Sequence, residues 1–224
     1  MLIIIQARLS SKRFPEKVLK KIKGLEIIKH IIKNLKISKH KFKIVVATSN
    51  HKSDQKLVNF LKKNNITYFC SSLNNVLDRL LKCALKYDTK YFIRINGDSP
   101  FIDNRIIEKM VSFFKGNKNK FDLITNVFPR TFPKGQSVEI IKTNCLKKVS
   151  NKKLSKYQKE HVTKYIYDNY KLFKIMNLPY LIDLSNYSLA VDSSQELNLF
   201  KRKLKNISLN RNIKFEKLIN TIYE

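Results

Sequence analysis

Glycine occurs four times in 224 residues, cysteine three times and tryptophan not at all, and 17 acidic residues face 46 Lys and Arg. Each shortage excludes something. Four glycines leave no glycine-rich phosphate loop, because such loops need glycine at fixed intervals for backbone amides to approach phosphates. Cys70, Cys83 and Cys145 are odd in number, widely spaced and form no CxxC, which argues against a disulfide framework or zinc site and for a reduced, cytoplasmic setting. No apolar stretch approaches the roughly 18 residues a membrane span requires. The opening MLIII reaches Gln6 and Arg8 at once and is too short for a signal-peptide core.

The formal charge of +29 invites a nucleic-acid or membrane-surface reading. Its make-up argues otherwise. Only eight of the 46 basic residues are Arg, and the Lys are spread over almost every segment, whereas a dedicated nucleic-acid surface concentrates charge and uses Arg for bidentate contacts. No specific nucleic-acid partner is expected. Apolar residues make up 43% of the chain, enough for a sizeable core.

Short apolar runs recur at 2–7, 43–48, 66–70, 91–95 and 121–127, and most of them read as strands buried on both faces. Helical periodicity lies between them, over 25–35, 57–61, 76–85 and 106–114, the last starting after Asp103 as N-cap. This alternation predicts an α/β protein with an open, mostly parallel sheet flanked by helices. After residue 128 the rhythm changes. Strands are expected at 138–141, 171–178 and 188–191, a tyrosine-rich helix at 155–169, and a final helix opened by a capping box from Ser193 to Glu196.

Three stretches carry chemistry. QARLSSKRFPEKVL (6–19) follows the first strand and gathers Arg8, Lys12, Arg13 and Lys17, yet Ser11, Glu16 and Val18 occupy positions where a Walker-A loop needs Gly, Gly and a hydroxyl. On composition alone it reads equally well as a phosphate-holding loop or as a solvated turn. RINGDSPFID (94–103) ends a strand in Gly97-Asp98, where a carboxylate can hold a hard cation or can cap its own turn. LAVDSSQEL (189–197) repeats the pattern with Asp192, which can serve a cation or cap the next helix.

In register, these pieces and VVATSN (45–50), NVLDR (75–79), TFPKGQSVEII (131–141) and EHVTKYIY (160–167) resemble the cytidylyltransferase family that includes CMP-KDO synthetase and acylneuraminate cytidylyltransferase. The spore-coat polysaccharide biosynthesis type is the most similar, and the resemblance spans essentially the whole chain. It implies a single nucleotidyltransferase domain over 1–224 of nucleotide-diphospho-sugar transferase-like, Rossmann-related fold, with a nucleotide-binding half (1–127) and an acceptor-binding and dimerisation half (128–224). It implies CMP transfer from CTP to an acidic sugar, or another carboxylate- or phosphate-bearing acceptor, with release of pyrophosphate in surface polysaccharide biosynthesis.

By the same resemblance Arg13, Lys17 and Asp98 are catalytic. Gln6, Ala7, Arg8, Ser10 and Ser11, with Arg13 and Lys17, hold the nucleotide, joined by Thr48, Ser71, Ser72, Arg79, Asn96, Gly97 and Asp98. Asp98 and Asp192 share one Mg²⁺, and Lys134, Gly135, Gln136, Glu139, Glu160 and His161 contact the acceptor. The tyrosines Tyr157, Tyr165, Tyr167 and Tyr170 point to a homodimer contact. The chain departs from the family at Ser10 and Glu16, usually glycine, and at Asn75, usually acidic. Glu16 fits beside a triphosphate only if it turns outward or pairs with Lys12 or Lys20. The alternatives are a nucleotide-sugar-dependent glycosyltransferase, against which the single Asp98 before Ser99-Pro100 counts, and a basic nucleic-acid-binding protein on a degenerate enzyme fold.

Overall fold

The apolar runs form the centre of a seven-stranded sheet in the computed structural model, which describes residues 1–11, 13–209 and 213–224. Strand β1 (Leu2–Gln6) pairs in parallel with β4 (Lys43–Ser49) on one side and β6 (Tyr91–Asn96) on the other, and β4 pairs in parallel with β5 (Tyr68–Ser71). Ile3, Ile4 and Ile5 have no exposed surface, as expected of a parallel strand covered on both faces. A short hairpin, β2 (Lys21–Ile22) and β3 (Leu25–Glu26), turns at Lys23 and Gly24, both left-handed in φ.

Beyond β6 the polarity changes. Strand β8 (Glu139–Lys142) runs antiparallel to β6 and to β7 (Leu123–Thr125), and β9 (Ile175–Asn177) is parallel to β7, so the order is β5-β4-β1-β6-β8-β7-β9. Strands from both halves of the chain share this mostly parallel sheet. Helices α1 (Ile27–Lys36), α2 (Gln55–Lys63), α4 (Asn104–Gly116), α8 (Ser194–Lys203) and α9 (Phe215–Tyr223) pack on one face. On the other lie α3 (Val76–Lys86), α5 (Thr143–Ser150), α6 (Lys156–Glu160) and α7 (Lys164–Asp168). Asp103 and Ser193 cap α4 and α8 through side-chain bonds to Arg105 N and Glu196 N.

Three expectations change. Helix α1 begins at Ile27, because Leu25 is taken into the hairpin. The stretch 155–169 is two short helices rather than one. His161 closes α6 through its amide to Tyr157 O, and Val162 and Thr163 are then drawn into the core, which breaks the helical path before α7. Residues 188–191 form no ladder strand. They fill the space between β6 and the 133–135 loop, with one bridge from Lys134 to Ser188 and amide bonds from Leu189 to Lys134 O and from Val191 to Asp98 O. Gly135, with φ +89, is what permits that approach, since a Cβ there would sit 2.6 Å from the Leu189 carbonyl carbon.

Candidate active site

The site starts where β1 and β6 end side by side. Gly97 lets the tips meet: its amide donates to Gln6 O at 2.9 Å, and a Cβ would lie 2.6 Å from that same oxygen. A cleft of about 1020 Å³ opens over these tips. One wall is the loop after β1 and the other the end of α6, with residues 73–76 and Asp192 completing it.

The loop has no glycine, so other contacts hold it. Leu9 is buried as an anchor and its amide donates to Asp54 Oδ1 at 2.6 Å, while the Ser49 hydroxyl donates to the other Asp54 oxygen. Glu16 takes the left-handed conformation at φ 58, where glycine is the ordinary choice, and its amide closes the loop on Leu9 O. Its carboxylate turns outward and accepts from Lys56 Nζ at 2.7 and 2.8 Å. Of the alternatives the sequence left open, the outward turn is the one found, with Lys56 and not Lys20 as the partner; Lys12 lies outside the described residues. The Ser10 hydroxyl is buried without a hydrogen-bond partner among the described residues, a cost a ligand oxygen would remove.

Lys17 lies at the focus. Its Nζ donates to Asp98 Oδ2 at 2.9 Å and to Asp192 Oδ1 at 2.7 Å. The two carboxylates are no farther apart than these bonds laid end to end, within reach of one cation or one bridging water. Neither performs the local task the sequence also allowed: Ser193 and Glu196 cap α8 in place of Asp192, and Asp98 accepts only from the Ser99 hydroxyl beyond Lys17. Burial pulls the Lys17 ammonium pKa down, but the charges of Asp98 and Asp192 and the bonds to them outweigh it and hold it above the usual lysine value. Arg13 reaches Asp192 at 3.6 Å from an open position, and Arg8 crosses the cleft to an ion pair with Glu160.

His161 lines the α6 side, its ring 4.1 Å from that of Tyr157 between centroids. Burial lowers its pKa; Glu160 opposes this, and Arg94 and Arg8 add to it. The balance favours the neutral imidazole.

The structure brings Gln6, Ala7, Arg8, Ser10, Ser11, Arg13, Lys17, Gly97, Asp98, Asp192, Glu160 and His161 to this cleft. It does not bring the others. Thr48 is fully buried in β4 with its hydroxyl unpartnered, and Ser71 and Ser72 spend their carbonyls or hydroxyl on Asn50, Arg79 and Asn75. Arg79 lies beneath the cleft and donates to Ser72 O and Leu73 O, its pKa lowered to about 10 by burial and then by the nearby Arg8. Asn96 accepts from Arg94. Of the expected acceptor residues, Lys134 is exposed elsewhere and Gly135 packs on Leu189. Gln136 is fully buried, donating to Phe101 O and accepting from Asp103 N, and Glu139 is buried against Arg94. Gln136 and Glu139 thus have their partners inside the protein and face away from the cleft.

Leu73, Asn74, Asn75 and Val76 line the cleft and fall within the 71–79 region that the resemblance assigns to the cytosine pocket, whereas Lys156 and Lys159 line it without having been expected to. Asn75, where the family has an acid, caps α3 through its side chain to Asp78 N. Arg94 was also missed, although an arginine within the apolar run YFIRI was its signal, since a charge on a doubly covered strand needs a partner.

Residues 2–218 match the profile of a family described as cytidylyltransferase. The chain is 29% identical over 208 residues to the spore coat polysaccharide biosynthesis protein SpsF of Bacillus subtilis, covering 90% of this chain and 85% of that one. Among solved structures, a cytidylyltransferase from Leptospira borgpetersenii superposes with a TM-score of 0.91 at 31% identity, over 99% of this chain and 92% of that one. A CMP:2-keto-3-deoxy-manno-octonic acid synthetase complexed with CTP shares the fold, with a TM-score of 0.69 at 15% identity over 91% and 98% of the two chains.

Proposed function

The chain belongs to the cytidylyltransferase family, and from that premise we propose that it transfers CMP from CTP to an acidic sugar, or another carboxylate- or phosphate-bearing acceptor, for surface polysaccharide biosynthesis. The observation that carries this reading is Lys17 held between Asp98 and Asp192 at the meeting point of two strand tips, with Arg8 and Arg13 at the cleft mouth. The base lies along Leu73 to Val76, and the phosphates lie over Arg8, Ser10, Ser11, Arg13 and Lys17, where side-chain donors do the work that glycine-loop amides do elsewhere. Ser10 there gains the partner it lacks.

In the reaction an acceptor hydroxyl oxygen bonds to the α-phosphorus. The bond from that phosphorus to the oxygen bridging to the β-phosphorus breaks, and pyrophosphate leaves with the electron pair. Arg13 and Lys17 stabilise the charge on the leaving group. His161, whose surroundings favour the neutral ring, accepts the hydroxyl proton in this reading, and Glu160 orients the acceptor once Arg8 turns to phosphate.

Asp98 and Asp192 are the residues that would hold Mg²⁺. Two carboxylates already gathered on one ammonium are a hard-oxygen donor set of the size magnesium takes, with phosphate oxygens and waters completing it. Among the described residues no cluster of three or more His, Cys, Asp or Glu competes for that role. When bound, the ion offsets negative charge on the phosphate oxygens. The proposal includes a homodimer, supported by the exposed Tyr157 and Tyr170 and by Leu172; Tyr165 and Tyr167 pack inward instead.

A thermal-shift series tests the nucleotide. CTP with magnesium at a hundred times its Kd should add about 2.7 kcal/mol to stability, with smaller shifts for ATP and GTP. Equal shifts with all nucleotides would remove the cytidine assignment. Pyrophosphate release with a panel of acidic sugars then identifies the acceptor.

A further inference from the structure

Directly beneath the cleft lies a second charged cluster, buried from solvent. Arg94, on β6, directs each guanidinium nitrogen to a different element. Its Nε donates to Gln6 Oε1 at 2.8 Å, one terminal nitrogen pairs with Glu139 Oε2, and the other donates to Asn96 Oδ1 at 3.2 Å. Glu139 opens the reversed strand β8 and is 2% exposed. Its second oxygen accepts from the Thr163 hydroxyl at 2.8 Å and from the Tyr167 hydroxyl, which also meets Thr125 Oγ1 at 2.9 Å. Burial, and then the Glu139 carboxylate, push the Tyr167 hydroxyl pKa up, so it stays a donor.

A buried ion pair of this kind is no efficient source of stability, because desolvation offsets its attraction and an apolar pair of the same shape does as well or better. What it does supply is direction. Gln6 is cleft floor, and Thr163 stands two residues from His161 at the cleft wall, yet Thr163 itself does not line the cleft. Between floor and wall the chain of bonds runs Gln6, Arg94, Glu139, Thr163.

We propose that Glu139 is a positioning residue for the transfer reaction: through Arg94 and Thr163 it sets the spacing between the nucleotide-holding loop and the Glu160–His161 wall. The proposal rests on the reading of the cleft as a nucleotide and acceptor site. Its consequence is a coupling, in which a change at Thr163 is felt at the nucleotide although no contact joins them. The fork geometry of Arg94 makes the coupling directional, since a lysine there would hold at most a point charge and not three separately aimed bonds.

Two variants and two readouts test this. Thr163→Val removes one donor to Glu139 without changing charge, and Glu139→Gln removes the charge. Native-state amide hydrogen exchange reads the network without ligand. Thr163→Val should raise exchange about threefold or more in both the 6–11 and the 161–167 peptides and leave α2 unchanged; a rise confined to 161–167 overturns the proposal. Calorimetric titration with magnesium and CTP reads the consequence. Thr163→Val should weaken binding by about threefold to tenfold in the wild-type background and have no further effect in a Glu139→Gln background. Independent, additive losses, or unchanged affinity in Thr163→Val, overturn it. The Arg94→Met/Glu139→Leu double variant, which removes the whole connection to Thr163, replaces Glu139→Gln as the background if the latter does not fold. If the wild-type protein fails to bind magnesium and CTP at all, the reading of the cleft falls, and the exchange data alone decide the network.

Discussion

Two carboxylate–cation clusters lie one above the other in this molecule and are built in opposite ways. In the upper one a single lysine ammonium, 14% exposed, is shared by two carboxylates that are 25% and 31% exposed. In the lower one a planar guanidinium spends every nitrogen on a separate partner, and its carboxylate is 3% exposed. An ammonium on a flexible stem is a point charge that ligands can replace at little cost, whereas a forked, desolvated pair cannot be opened without leaving a charge unpaired. On the proposed function, the contrast separates a cluster that would exchange partners during turnover from one that would keep its geometry.

The strongest way to break the contrast is Arg94→Met, which strands Glu139 in the core and should cost about 3–5 kcal/mol in denaturant unfolding. Adding Glu139→Leu should recover most of that loss, and equal losses in the single and double variants would show that the pair is not coupled.

Next in size, Lys17→Ala should lower turnover about a hundredfold or more, as for other charges preorganised at a leaving group. Pyrophosphate release would measure it, with the exposed Lys118→Ala and Lys201→Ala as controls that leave the rate alone. Equal damage from those controls would mean that diffuse charge, and not the cluster, does the work.

Asp192→Asn should abolish most activity yet shift metal-free stability by less than about 1 kcal/mol, because Lys17 keeps Asp98 and the cluster is partly open to water. Two bare carboxylates this close would repel, and removing one would stabilise; Lys17 between them cancels that gain. A large loss of melting temperature would place Asp192 with the structural cluster.

The smallest effect sharpens the boundary of the upper cluster. Glu16→Gly relieves a left-handed residue at a gain of about 1 kcal/mol and removes an exposed ion pair with Lys56 worth about as much or less. Stability and CTP affinity should therefore stay nearly constant. A tenfold fall in affinity would mean that Glu16 faces the phosphates.

The upper cluster and the parallel half of the sheet were legible in the amino-acid order for one reason. Runs such as LIII and IVVA have a single compatible environment, a strand covered on both faces, and parallel strands bring their tips to one edge, so Asp98 and the loop after Gln6 had to be neighbours. The lower cluster was not legible, because it depends on strand direction. Glu139 stands at the first residue of β8, and only the antiparallel register that sets it opposite Arg94 turns it from a candidate ligand contact into a buried partner. Periodicity reports which residues face inward and not which way a short strand runs. The break at His161 was hidden likewise: 155–169 has helical composition throughout, and the inward turn of Val162 and Thr163 is a tertiary demand that local propensity does not carry. The left-handed backbone at Glu16 explains why glycine is the usual residue at that position, which the glutamate itself could not indicate.

The bond from Lys17 to Asp192 joins residues 175 positions apart, and the Arg8–Glu160 pair joins residues 152 apart. Contacts so distant along the chain close late in folding, since each must first overcome the entropy of the intervening loop. During synthesis, Lys17 and Asp98 emerge while the second carboxylate is still to be made. A growing chain that has passed β6 but not α8 has a loop of cations and half a cluster, with nothing to gather them. A chain cut short before residue 192 would lack the second of the two carboxylates that Lys17 gathers.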